Sequence, residues 1–370
     1  MTGLYIHIPF CASRCIYCGF YSTTMDKMKQ RYVDAVCKEI KNYYLKENKN
    51  STEWSTIYLG GGTPSQLNKS QLHQIFSAIG IPSKNIEITM ECNPDDVTDD
   101  FAKMISALPI NRISMGAQTF SDARLKFLHR RHTSNEVIVA IERLRKAGIK
   151  NISVDLMFGF PEETLEDWQN DIKKALELNV EHLSAYSLMY EEGTPLFNLL
   201  QQGKIKEIDD NLSLDMYDTL VDMLTAANYE HYEISNFAKK GFRSRHNSSY
   251  WNNTPYIGIG AAAHSYISGK RWWNISNIKK YCEGVENNKL EKEIEIIDAD
   301  THYNDLITTA LRTSDGLNLD MLSQEQQNYL LSNAQHLIDE GMLKLNNKKL
   351  SLTRRGIYIS DSIMSDLIKI

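Results

Sequence analysis

Along the chain, short apolar runs alternate with longer stretches in which apolar residues recur every three to four positions. Leu4 to Ile8 reads as a strand and Asp26 to about Tyr44 as a helix. Thr56 to Leu59 predicts a strand that runs straight into three glycines, and Ser70 to Ile79 a helix. Asn85 to Met90 alternates as a strand does, with a helix near Asp99 to Leu108. Further strands are predicted at Arg112 to Gly116, Asn151 to Met157 and His182 to Leu188. Val137, Ile141 and Leu144 mark a helix over Asn135 to Ala147 that Gly148 closes, and Leu165, Trp168, Ile172 and Leu176 stripe the next.

Strand-then-helix repeats imply parallel strands with right-handed crossovers, hence a doubly wound sheet or a complete or partial barrel. In either, chemistry gathers at the C-terminal ends of the strands. The unusual residues fall there. A cysteine-rich loop follows the first strand and GGGTP the second, Glu91 the third and Gln118 the fourth, while Asp155 lies near the end of the fifth. The alternation decays beyond about residue 210, where Leu212 to Ala227 is one more amphipathic helix.

Asn236 to Trp273 is rich in Gly, Asn, Ser and aromatics. Helical patterns at 301–312, 318–322 and 324–340 then lead to GMLKLNNKKLSLTRRG, read as two short strands about an Asn-Asn-Lys turn. The expected organisation is a barrel over 1–235, a connecting segment over 236–290 and a winged-helix-like domain over 291–370. Such a unit serves either DNA binding or packing. The net charge of −6 favours packing, because a nucleic-acid grip needs a basic footprint.

With 42% hydrophobic and 24% charged residues the chain can bury a sizeable core. No apolar run reaches the roughly 18 residues of a membrane span, and no signal peptide is read. Six cysteines, three clustered and three single, fit a reducing cytoplasm. Cys37, Cys92 and Cys282 are expected as buried apolar side chains.

Cys11, Cys15 and Cys18 form C-x3-C-x2-C. Thiolates select zinc, copper(I) or iron–sulfur clusters. Structural zinc wants four closed ligands, usually in two pairs, and no second pair exists here. Three thiolates on one loop suit a four-iron cluster with one iron left open to a substrate or cofactor.

Other rim residues carry two readings each. GGGTPS is a turn, or a loop whose amides approach a ligand. Glu91 caps a helix or binds a ribose, and Arg130 in LHRRH forms a surface ion pair or a ligand contact. Asp155 stands out, since a buried carboxylate is costly without a partner.

The C-x3-C-x2-C loop after the first strand resembles the radical S-adenosylmethionine (SAM) superfamily. There SAM chelates the open iron, and electron transfer cleaves it to a 5′-deoxyadenosyl radical. YIHIPFC-x3-C-x-YC, GGGTPS, MECNP, GAQTF, LHRRH and VDLMFGFP, in this order, resemble the oxygen-independent coproporphyrinogen III oxidase group over nearly the whole chain. The resemblance implies a partial (β/α)6 TIM-like barrel with a 4Fe-4S cluster on Cys11, Cys15 and Cys18. Tyr5, Gly61 and Glu91 match positions contacting the cluster-bound SAM, and Tyr17, Gly62, Thr63, Gln118, Arg130 and Asp155 match a second SAM site of the oxidase.

Two departures point away from the oxidase. Its usual fourth cysteine, in C-x3-C-x2-C-x-C, is Phe20 here, and only ten residues precede Cys11. Both resemble the HemW-type branch of haem chaperones, as does HNSSYW at His246 to Trp251. That branch implies haem as cargo, haemoprotein acceptors such as those of the respiratory chain, a flavodoxin- or ferredoxin-like electron donor, and no coproporphyrinogen oxidation. His246 or Tyr250 is then the expected iron ligand, with Trp251 as a flat face, Arg243 and Arg245 for the propionates, and His264 as an alternative ligand. The competing reading makes this stretch a loop that closes the barrel, with His246 bonded structurally.

Overall fold

Period-two alternation builds the main sheet, and both of its faces are enclosed. The computed structural model describes residues 2–46, 53–80, 85–267 and 269–369. Strand β1 (Thr2–Ile8) buries Leu4, Ile6 and Ile8 on one face and turns Tyr5 and His7 to the other. The same division runs through β2 (Trp54–Gly61), β3 (Glu87–Cys92), β4 (Arg112–Gln118), β5 (Asn151–Phe158) and β6 (His182–Ser187). Ile57, Leu59, Ile88, Met90, Ile113, Met115, Ile152, Val154 and Leu183 belong to one apolar core. The alternate positions are Thr56, Tyr58, Glu87, Thr89, Glu91, Arg112, Ser114, Ser153, Asp155, His182 and Ser184. One face is therefore a hydrocarbon surface for helices and the other is polar.

Helices α1 (Lys29–Lys46), α2 (Lys69–Ile79), α3 (Asp99–Ser106), α4 (Asp122–Phe127), α5 (Ser134–Lys146) and α6 (Leu165–Glu177) link the strands. Their starts are written locally: Asn68 with Gln71, Thr133 with Glu136 and Thr164 with Asp167 each form a capping box. Val137, Ile141 and Leu144 of α5, and Trp168 and Ile172 of α6, sit in the same core as the strands. Then come α7 (Pro195–Gln201), α8 (Asp210–Ala226), β7 (Glu230–Glu233) and β8 (Asn236–Ala238).

The structure differs from the sequence reading over 236–290. That stretch is no separate connector. It forms α9 (Arg245–Trp251), β9 (Tyr256–Ile259), β10 (His264–Ile267), β11 (Lys270–Asn274) and α10 (Ile278–Glu286), followed by β12 (Lys292–Ile296). β9 pairs in parallel with β1, and β10, β11 and β12 extend it antiparallel. The twelve strands run β12-β11-β10-β9-β1-β2-β3-β4-β5-β6-β8-β7. Ile257, Ile259, Tyr281 and Cys282 join the core of β1 to β6. The strands are four or five residues long, so their pattern is too short to read from sequence.

The C-terminal unit has its own core, with Tyr303, Leu306, Leu330, Leu337 and Leu350. It comprises α11 (Ala299–Ala310), β13 (Leu317–Asn318), α12 (Gln324–Asp339), β14 (Leu343–Asn346), β15 (Lys349–Leu352), α13 (Arg354–Ile357) and α14 (Ser360–Leu367). Its sheet has three strands, β13-β15-β14, where the sequence indicates two, and α14 was not read from the sequence at all. Arg354 bonds Asp218 and Asp222 of α8, fastening the unit to the main sheet.

Candidate functional site at the strand C-terminal rim

The loop after β1 carries the three thiols, all partly exposed and none in a disulfide. Its course is fixed by backbone bonds: Cys11 N–H to Thr23 O (2.9 Å), Thr23 N–H to Pro9 O (2.7 Å), and Ile16 N–H to Leu128 O (3.2 Å). Burial pushes the Cys11 and Cys18 thiols up, so both hold their protons until a metal displaces them. Among the described residues, no three His, Cys, Asp or Glu side chains converge on a single ion. Three thiols on one loop can each serve a different iron of a cluster without converging on one ion.

The glycine loop is used differently from the expectation that its amides face a ligand. Gly61 N–H donates to Glu91 Oε2 (3.0 Å), Gly62 N–H to Ile8 O (2.9 Å) and Thr63 N–H to Phe10 O (2.8 Å). All three donors are taken. Gly61 has φ +109°, and a Cβ there would meet the His7 ring at 2.4 Å; one on Gly62 would meet the Pro9 carbonyl carbon at 2.6 Å. The glycines thus press β2 against the cysteine loop and aim Glu91. Thr63 Oγ1 donates to Cys11 Sγ (3.4 Å).

Glu91 accepts a second bond from the Tyr58 hydroxyl (2.8 Å), and burial still pushes its carboxyl up to about 7. Tyr5 stacks on Tyr58 at 6.1 Å, and its hydroxyl lies 3.0 Å from His7 Nδ1. His7 Nε2 is 3.0 Å from the Tyr21 carbonyl, which can only accept. That nitrogen therefore carries the proton and Nδ1 accepts from Tyr5. Burial holds His7 down at about 4, so the ring is neutral.

A register shift in β4 between Gly116 and Gln118 puts Gln118 at φ 66° and re-aims its side chain back over Gly116. Arg130 has no carboxylate ion-pair partner among the described residues and is buried rather than on the surface. Its guanidinium donates to Gly116 O (2.6 Å), Asn93 Oδ1 (2.9 Å) and Cys15 Sγ (3.7 Å), joining β4, β3 and the cysteine loop. Its Nε is buried and unpartnered among the described residues. Tyr17 lies beside Arg130, Cys15 and Cys18. Asp155 has long contacts to the Ser114 hydroxyl (3.4 and 3.5 Å), and burial raises its carboxyl against the pull of a hydrogen bond from Ser184 and the charge of Arg112.

The opposite end of these strands is a floor that the sequence analysis missed. Two neutral histidines there are each bracketed by hydroxyls. His182 lies 2.7 Å from both Ser153 Oγ and Tyr232 Oη, and His246 lies 2.8 Å from Thr56 Oγ1 and 2.9 Å from Tyr250 Oη. Burial lowers His246 to about 3. Glu87 accepts the Arg245 and His246 amides at 3.0 Å each, seating α9 against the floor. Arg112 is 1% exposed, with Nε and Nη1 unpartnered among the described residues. The missed signal was the polar half of each alternation, from Thr56 and Glu87 to Arg112, Ser153 and His182.

The expected haem residues are therefore placed as follows. His246 is fully buried with both nitrogens engaged, and iron ligation would cost it Thr56 or Tyr250. This geometry matches the barrel-closing alternative. Tyr250 stands edge-on to Tyr256 at 4.6 Å, and Trp251 lies under the Arg312 guanidinium at 5.2 Å. Arg243 is paired with Glu230 and Asp315, and Arg245 donates to Asn85 O. His264 alone among these is an exposed imidazole.

Residues 5–175 match the radical SAM superfamily profile and 297–359 the HemN C-terminal domain. The chain is 34% identical over 366 residues to the heme chaperone HemW of Lactococcus lactis subsp. lactis (strain IL1403), covering 97% of this chain and 93% of that protein. The chain belongs to the HemW branch of the radical SAM superfamily. A second relative, the heme chaperone HemW of Bacillus subtilis (strain 168), is 38% identical over 288 residues, 76% of each chain. The coproporphyrinogen III oxidase HemN of Escherichia coli shares the fold, with a TM-score of 0.84 at 22% identity over 100% of this chain and 90% of that one. Membership implies a four-iron cluster and SAM. It accords with the observed rim: three thiols beside a carboxylate, an amide and a guanidinium on adjacent strand ends. No helix among the described residues is long and apolar enough to cross a membrane.

Proposed function

We propose that this protein is a haem chaperone that carries a 4Fe-4S cluster and SAM, binds haem and delivers it to haemoproteins in the cytoplasm. The observation that carries this is the relationship to heme chaperones HemW across nearly the full length of the chain. Phe20, 73% exposed where the oxidase group has a fourth cysteine, supports it against coproporphyrinogen oxidation.

In this reading Cys11, Cys15 and Cys18 hold the cluster and leave one iron open. The bound pair supplies one-electron chemistry at a sulfonium. The chain's own residues do the rest. Glu91, held by Tyr58 and Gly61, accepts hydrogen bonds from SAM, and Tyr5 walls its pocket. Gly61 and Gly62 hold the rim closed behind the cysteine loop. Arg130 keeps its guanidinium beside Cys15 and ties the cysteine loop to the ends of β3 and β4. Tyr17, Thr63, Gln118 and Asp155 complete the polar rim. A flavodoxin- or ferredoxin-like protein supplies the electron.

Anaerobically reconstituted protein given coproporphyrinogen III, SAM and dithionite is expected to form no protoporphyrinogen IX, while hemin gives a shifted Soret band. Turnover to protoporphyrinogen IX would replace this reading with the oxidase.

A further inference from the structure

The chaperone reading requires a haem site, and His246 is buried with both nitrogens bonded. The inner face of the sheet continues past β1 onto β9, β10 and β11, and this extension is aromatic. Tyr256 on β9 pairs with Tyr266 on β10, their rings 6.2 Å apart, and Tyr256 meets Tyr250 of α9. Two residues along, His264 of β10 pairs with Trp273 of β11. Their rings stack at 5.4 Å and 19°.

We infer that His264, stacked on Trp273, is the axial ligand for the haem iron. This rests on the haem-chaperone reading. Four observations support it. The His264 imidazole is exposed and has no hydrogen-bond partner among the described residues. The Trp273 stack holds its plane fixed, so little freedom is lost on ligation. Partial desolvation against the Trp273 face and the nearby Arg271 lower it from the ordinary histidine value, so it is neutral as a ligand must be.

The fourth observation is position. β9 runs parallel to β1, Gly258 pairs with Tyr5, and a Cβ on Gly258 would lie 2.1 Å from the His264 carbonyl oxygen. The β10 backbone is thus pressed against β9 at the level of Tyr5. Tyr21, three residues past Cys18, accepts the Ile278 amide just beyond β11 (2.6 Å). The chain just past the cysteine loop is therefore tied to the start of α10, four residues after β11, and haem on His264 would lie at the mouth shared with SAM.

Hemin is titrated into the reconstituted full chain and into His264→Gly, following the Soret band. The wild type is expected to show a histidine-type shifted band. His264→Gly is expected to lose it and bind at least about tenfold more weakly, the scale of one lost strong contact. Free imidazole should then restore the band, a rescue that a misfolded variant would not show. A Soret band unchanged in His264→Gly overturns the proposal while leaving the chaperone reading standing. So does a band lost in His246→Gln and kept in His264→Gly. Loss only in His129→Ala also overturns it, placing haem in the groove of roughly 600 Å³ lined by Ile16, Phe127, His129, Pro195 and Leu199. Failure of the wild type to bind hemin sinks both the ligand assignment and the chaperone reading.

Discussion

The two ends of the same strands differ in how their polar groups are satisfied. At the floor, Thr56, Ser153, His182, His246, Tyr232 and Tyr250 bond one another, and Glu87 seats a helix. At the rim, three thiols are half-exposed, and Arg130 Nε has no partner among the described residues. Buried polar groups that satisfy each other rigidify a core, and those left open are set for a ligand. Arg112 is the exception at the floor, buried with Nε and Nη1 unpartnered among the described residues.

That contrast can be broken by mutation. The largest effect is expected at the rim. Replacing Cys11, Cys15 and Cys18 with Ser should abolish bound iron and sulfide, while apo-protein stability changes by no more than ~1 kcal/mol because the thiols are half-exposed. Retained iron after reconstitution would refute the cluster assignment. At the floor, Glu87→Ala should cost ~2–4 kcal/mol in denaturant unfolding, since two buried amides lose their acceptor. A loss under ~0.5 kcal/mol would show that the floor is not a structural unit.

A smaller effect is expected with pH. The Glu91 carboxyl is raised from 4.5 to about 7, so its protonated form favours the fold. That contribution is full below pH 4.5 and is lost as pH rises through about 7. Glu163, also raised to about 7 by burial, acts in the same sense. Thermal unfolding of the apo protein should show a stability loss from this pair across that window, and Glu91→Gln should make the loss shallower. An unchanged pH profile would mean that Glu91 is not desolvated. The smallest effect is expected at the exposed link between the domains. Arg354→Ala should cost ~0–1 kcal/mol, because solvent screens its pairs with Asp218 and Asp222.

Much of the rim was legible in the sequence because strand-to-loop junctions carry their own local marks. A cysteine cluster, a glycine run and MECNP each sit directly after an apolar strand, and a parallel sheet must bring such points to one edge. The glycine run's real task was not legible. Whether its amides meet a ligand or a neighbouring loop depends on how closely β2 approaches the loop after β1, which no local pattern encodes.

The chain alone determined the six-fold strand–helix repeat, the apolar face of each strand and the three thiols of one loop, because period and spacing are properties of contiguous residues. Folding decided which histidine is available. His246 and His264 stand eighteen residues apart in equally aromatic surroundings. Parallel pairing of β9 with β1 carries one beneath Tyr5 and Tyr58, into a cage of hydroxyls, and leaves the other at the mouth beside Trp273. Burial and hydrogen-bond saturation arise between distant segments, so only the assembled sheet could assign them.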